Sequence, residues 1–220
     1  PAKVLGFVDD AAFRYVGDIG LAGPDKGEGG RFVIVPQNYE GSIPDNSFVF
    51  ESQTNNHWLL LRTFIENGNL EEAANRFKNG LNLYPLSMID EPPAETFHNL
   101  SSSEYNTIHA NNFEFFEELN EVVQREPADA FDPELAGNFA AIGIKKGEPF
   151  SPDVRMLAIL TEAAAIGNAT ARALSFRSRK DYAFAFQDRK WTLPFAGGSY
   201  DFMDNGARVL DDRSYFHYVA

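Results

Sequence analysis

Apolar and polar positions alternate with a period of two near the start of this chain and shift to a period near 3.6 in its middle. Residues 31–35 (RFVIV), 47–51 (SFVFE) and 57–65 (HWLLLRTFI) are β-branched or aromatic runs punctuated by proline, asparagine and glycine, and predict strands. From residue 66 the pattern turns helical: ENGNLEEAANRFKNG, acidic early and closed by Gly80, predicts a helix. Asn111 is followed three positions later by Glu114, which resembles a capping box, and Phe113, Phe116, Leu119 and Val123 recur at helical spacing. Asp132-Pro133 and Ser151-Pro152 each set a capping side chain before a proline suited to a first helical turn. Two further helices are expected there, the first ending near Gly143. The second presents Met156, Ile159, Leu160, Ala163 and Gly167 as one stripe. After Arg179 the period returns to two, and residues 182–186, 190–196 and 214–219 are expected as strands. The changes of period divide the chain near residues 65 and 178.

Composition narrows the class. With 220 residues, 44% hydrophobic and 23% charged, the chain is globular and long enough to bury a sizeable core. Nineteen Lys and Arg against 32 Asp and Glu give a net charge of −13, which argues against a nucleic-acid backbone or an anionic membrane as partner. Residues 156–176 are the longest apolar candidate, but Glu162, Asn168 and Arg172 interrupt them, so no membrane insertion is expected. No signal peptide is visible in PAKVLGFVDD, though a missing true N-terminus would hide one, and cytoplasm and periplasm both remain open. The absence of cysteine excludes disulfides, thiol nucleophiles and thiolate metal sites.

Chemistry is sparser than fold. GLAGPDKGEGG (20–30) offers backbone N–H groups and Lys26, the ingredients of a phosphate cradle, but lacks the Gly-x-x-x-x-Gly-Lys-Ser/Thr spacing and is followed by a strand. A structural turn is the favoured reading, with an anion or sugar contact by Asp25 and Lys26 as the alternative. The four histidines include no pair at helical spacing and no His-Glu-x-x-His run, so no metal site is expected. His109 lies just before a helix start, with Asn106, Asn111 and Asn112 around it. These groups either satisfy backbone at the junction or converge on a ligand. His57 and His217 sit in strand-like patterns and are expected to be structural. The acid-rich stretch 114–134 fits a solvated helix face better than a glycosidase carboxylate pair. DFMDNG lacks the alternating ligands of a calcium loop and fits a plain turn. Arg177, Arg179, Arg208, Asp211 and Arg213 either clamp an anionic or hydroxylated ligand or form structural ion pairs. Serine-hydrolase and dinucleotide motifs are absent. The candidate ligand-binding residues are thus His109, Asn106, Asn111, Asp25, Lys26, Arg208 and Asp211, with no catalytic residue, metal or cofactor assigned.

Four segments carry a family resemblance: FRYVGDIGLAGPDKGEGGRFVIVPQNYEG (13–41), YNTIHANNFEFFEELNEVV (105–123), GNATARALSFRSR (167–179) and FAGGSYDF (195–202). Together they resemble the paired domain-of-unknown-function 1254 and 1214 proteins, a family with no settled reaction. The resemblance implies an α+β architecture. Residues 1–65 would end a first β-sandwich, 66–178 would form a helical middle domain, and 179–220 would begin a second, jelly-roll-like sandwich. It also implies that the chain is the middle of a longer protein, whose remainder or a second subunit covers the exposed terminal strands. Two function classes follow: binding or processing of a carbohydrate-like or other polar small ligand, or a structural, assembly-forming jelly roll.

Overall fold

The computed structural model describes residues 1–104, 106, 108–193, 195 and 201–218. The chain is α+β and divides into two compact units, Pro1–Asn106 with Arg125–Asp132, and Thr107–Gln124 with Pro133–Ala220.

The first unit is built on five strands and a helix. β1 (Val4–Asp10) lies between β2 (Tyr15–Gly20) and β5 (His57–Thr63) in an antiparallel sheet, while β3 (Arg31–Pro36) and β4 (Ser47–Ser52) pair in parallel. Val4, Val8 and Ile19 are buried at the centre of the core. Phe32 and Phe50 pack on them from the parallel pair, Leu59 and Leu61 from β5, and Phe77 from helix α1 (Leu70–Gly80). Two sheets thus share one apolar layer. The strands expected at 31–35, 47–51 and 57–65 are present. β1 and β2 add to them, and in β1 Val4, Gly6 and Val8 occupy the buried alternation. Asn69 caps α1 by accepting the Glu72 N–H at 3.1 Å, with Glu71 and Glu72 in the favourable first turn.

In the second unit, α2 (Glu114–Arg125) buries Phe116 and Val123, in line with the periodic stripe. The capping side chain is Asn112 rather than Asn111: its Oδ1 accepts the Glu114 N–H at 3.0 Å. α3 (Pro133–Ala141) starts at the expected proline, and Gly143, at φ +89°, closes it while the Ile144 N–H returns to the Phe139 carbonyl at 2.9 Å. α4 (Val154–Phe176) starts two residues beyond the Ser-Pro signal, because Asp153 accepts the Met156 N–H at 2.7 Å. Its buried positions are Leu160, Ala164 and Ser175, whereas Ile159, Ala163 and Gly167 are exposed. The stripe is thus rotated from the expected one, set by packing against α5 (Leu210–Tyr218).

The end of the chain departs most from the sequence reading. Residues 214–218 are helical, not a strand. Asp211 and Asp212 occupy the first turn of α5, and Phe216 packs against Phe195 and Phe202 with ring centroids 5.3 and 5.5 Å away. Burial of that ring and packing on α4 override the β-propensity of the aromatic run. The strand expected at 182–186 is a single turn, Asp181–Ala183, followed by one bridge between Phe184 and Thr192. Of the strand expected at 190–196, the described residues 190–193 and 195 form only that one bridge at Thr192, and residues 194 and 196 lie outside the described set. β6 (Met203–Asp204) and β7 (Ala207–Arg208) form a hairpin whose Asn205-Gly206 turn has φ +49° and +79°. Both central residues thus have the positive φ of a tight hairpin turn, the plain-turn reading of DFMDNG. Among the described residues, no helix is long and apolar enough to cross a membrane.

Candidate functional site

Asp25, Lys26 and Asn106 belong to the first unit, and His109, Asn111, Arg208 and Asp211 to the second. In the glycine loop the Asp25 carboxylate is buried, accepting the Gly20 N–H at 2.7 Å and the Gly29 N–H at 3.0 Å. Gly23, Lys26 and Glu28 donate to carbonyls within the loop at 2.8–3.1 Å. Those amides close the turn on itself instead of opening toward an anion, so the loop is a structural turn and Lys26 projects from its exposed rim.

A second polar knot in this unit surrounds the segment that returns after α2. Glu126 is 1% exposed and accepts from the Asn55 N–H at 2.5 Å and the Asn56 side-chain amide at 2.7 Å. Asp10 receives the Ala12 and Arg14 N–H groups and the Arg14 guanidinium, which also reaches Gln53 and the Ala130 carbonyl. His57 pairs with Asp10 across β1 and β5, and its Nε2 is buried without a hydrogen bond. Burial lowers its pKa from the usual 6.5, against the opposing pull of Asp10 and Glu126. The unfolded chain therefore binds more protons just below pH 6.5, so the histidine's contribution to stability is complete above that pH and is lost as pH falls toward the folded value. We expect the unfolding free energy to decline over that window by at most about 1.4 kcal/mol per pH unit from this group, and His57→Phe to flatten the slope. Urea melts across a pH series test this; equal slopes in wild type and variant would remove His57 as the cause.

Three elements of the second unit meet at His109. From the loop before α2, His109 Nδ1 donates to the Ala110 carbonyl at 2.7 Å, and Nε2 lies 2.9 Å from the Tyr218 hydroxyl on α5. That hydroxyl lies 3.0 Å from Asn168 Oδ1 on α4. The His109 and His217 rings stack at 5.3 Å and 17°, and Phe115 meets His109 edge-on. His217, read from sequence as a strand residue, is instead exposed on α5. The His109 and Tyr218 rings packed on it partly desolvate the imidazole, and this, then the charges of His109 and Arg213, lowers its pKa, so the ring is held toward its neutral form. Burial raises the Tyr218 pKa against the opposing charge of Arg172, which keeps the phenol protonated. Asn111 is exposed beside this cluster. Tyr218 and Asn168 were not legible in the sequence, since the first lay in a presumed strand and the second on a helix whose face only packing sets.

Asp211 is a structural anchor: 1% exposed, it binds Arg179 through Nη2 at 2.6 Å, Nε at 3.0 Å and the backbone N–H at 3.0 Å. These bonds hold its carboxyl below the ordinary carboxylate range. Arg208 pairs with Glu134 at 3.0 Å. Among the described residues, no group of three or more His, Asp or Glu side chains is placed to hold a metal ion.

Residues 1–85 match the family described as Protein of unknown function (DUF1254). Over its whole length the chain resembles in fold the crystal structure of the VPA0106 protein from Vibrio parahaemolyticus, with a TM-score of 0.61 at 15% identity. The likeness covers 100% of this chain and 51% of that one, so this chain spans about half the length of that protein. No curated protein matches.

Proposed function

We propose that this chain, whose first 85 residues match a family of unknown function, is a binding module for polar, carbohydrate-like small ligands seated at His109, Asn168 and Tyr218. The observation that carries the reading is the hydrogen-bond chain from His109 Nε2 through the Tyr218 hydroxyl to Asn168, at 2.9 and 3.0 Å. It converges from three elements and ends beside an exposed imidazole face. Imidazole, phenol and amide together supply donors and acceptors in fixed directions, and a flat ring offers a surface for the C–H face of a sugar. Asn111 adds an exposed amide nearby, while Asp211 and Arg208 support the scaffold through their ion pairs.

Titration of the chain with glucose, galactose and glucuronate, followed by amide chemical shifts, tests the reading. Saturable shifts around residues 109, 168 and 218 are expected. Binding should weaken by at least about tenfold in His109→Ala and Asn168→Ala, with the melting temperature of each variant confirming the fold and Lys26→Ala unaffected. Absence of saturable shifts with all three sugars, or equal affinity in both site variants, would overturn it.

An assembly role is the second reading, favoured by the apolar side chains that α4 leaves exposed, Val154 at 87%, Ile166 at 59% and Phe176 at 74%. Under it these residues meet a second subunit or the remainder of a longer polypeptide, with a DUF1214-type jelly roll as the expected counterpart. Light scattering over a concentration series distinguishes a self-associating chain from a monomer.

A further inference from the structure

We infer that the His109 site takes a carboxylate-bearing ligand together with one proton. The inference rests on the ligand-binding reading above and names the ligand class within it. Two separate observations lead to it, one of charge and one of hydrogen count.

The chain carries 19 basic and 32 acidic residues, yet the surroundings of this site run the other way. Arg172 follows Asn168 by one turn of α4 and acts on Tyr218, while Arg213 precedes His217 by one turn of α5 and acts on that imidazole. From α2 the facing charge is Glu118, whose Oε2 already accepts the Ala110 N–H at 3.2 Å, and Phe115 presents only a ring edge. Arg172 and Arg213, the latter with its guanidinium 5.0 Å from the Phe202 ring centroid, thus bring positive charge to the cluster against the engaged Glu118 carboxylate before either imidazole is charged. On an acidic surface such a place concentrates anions, and a guanidinium fork suits a carboxylate.

Hydrogen count adds the proton. A carbonyl oxygen only accepts, so His109 Nδ1 carries hydrogen toward Ala110. The Tyr218 hydroxyl has one proton for two partners, His109 Nε2 and the Asn168 amide. When that proton goes to Asn168 Oδ1, Nε2 must itself donate and His109 is an imidazolium. Asn168 then has its NH2 group left to offer. When the proton goes to Nε2, His109 is neutral, and the amide turns so that its NH2 donates to the phenol oxygen, leaving Oδ1 to offer. The charge on His109 and the atom Asn168 offers are therefore one variable. A carboxylate accepts and cannot donate, so it selects the imidazolium arrangement and draws a proton from solvent onto Nε2. A sugar hydroxyl both donates and accepts, so it suits either arrangement.

Calorimetric titration of the whole chain with glucuronate and with its uncharged counterpart glucose, at about pH 5.5 and about pH 8 on either side of the imidazole range, tests this. Glucuronate affinity should rise toward low pH by up to about tenfold per pH unit, the limit for uptake of one proton. Its binding heat should differ between buffers of different ionisation enthalpy, and glucose should show neither effect. Tyr218→Phe should abolish the proton uptake while retaining a carboxylate preference, and Arg172→Gln should reduce that preference severalfold. Imidazole nitrogen shifts of the wild type supply a readout that needs no variant: His109 Nε2 should pass from acceptor to protonated on adding glucuronate. If both sugars bind alike and without proton uptake, this inference falls and the binding reading stands. If neither binds, both fall. Proton uptake that persists in Tyr218→Phe would overturn the coupling through the phenol.

Discussion

Gly20→Ala should unfold the first unit under conditions in which Gly27→Ala leaves it intact. Both glycines have positive φ, +87° and +82°, so both substitutions meet the left-handed penalty of about 1–2 kcal/mol. Space separates them. A Cβ at Gly20 would lie 2.0 Å from the Val4 carbonyl oxygen and 2.5 Å from its carbon, whereas at Gly27 the nearest atom is 3.7 Å away. The backbone at Gly20 cannot yield easily. Its partner is Leu5 on β1, its own N–H is held by Asp25 at 2.7 Å, and the crowded Val4 oxygen accepts from Leu21 at 2.8 Å. Relief of the clash breaks at least one of these bonds at the edge of the Val4–Val8–Ile19 core. We expect a loss of at least about 4 kcal/mol for Gly20→Ala against about 1 kcal/mol for Gly27→Ala, read from urea midpoints. Equal losses would show that the strand closes on Asp25 in some other way.

Glu126→Ala should be the second most damaging change, at about 3 kcal/mol, although it removes a charge from a chain that already carries thirteen in excess. Relief of net repulsion is a small effect spread through solvent, whereas the local loss is direct. The Asn55 N–H and the Asn56 amide both end on a carboxylate that is 1% exposed. Removing it leaves those donors with no acceptor in the turn between β4 and β5. Glu126→Gln keeps one acceptor oxygen but turns an NH2 toward a donor, so an intermediate loss of about 1–2 kcal/mol is expected. Denaturant unfolding of the three proteins should rank them in that order. A glutamine variant as stable as wild type would show that the charge contributes nothing beyond shape.

Local pattern made much of the helical part readable. The acidic first turn and the closing Gly80 located α1, Pro133 and Gly143 bracketed α3, and the spacing of Phe116 and Val123 fixed the buried face of α2. These signals work because a cap or a left-handed glycine acts within a few residues of itself. Of the candidate site, His109 was singled out by its place before a helix start, but its partners were not. Asn168 and Tyr218 are 59 and 109 positions away along the chain, and nothing at either position marks a pairing.

By itself, then, the sequence determined an α+β chain with an acidic net charge, the starts of most helices, and a structural glycine turn at residues 20–30, whose closure on the Asp25 carboxylate only the structure supplied. Tertiary structure alone decided that the aromatic run 214–218 is a helix, that α4 buries Ala164 beside the expected Leu160 while leaving Ile159 and Ala163 exposed, and that His217 lies against His109. The division has one physical cause. Caps and turns are settled by nearest neighbours, whereas the conformation of an aromatic segment and the face a helix buries depend on which distant surface receives its side chains.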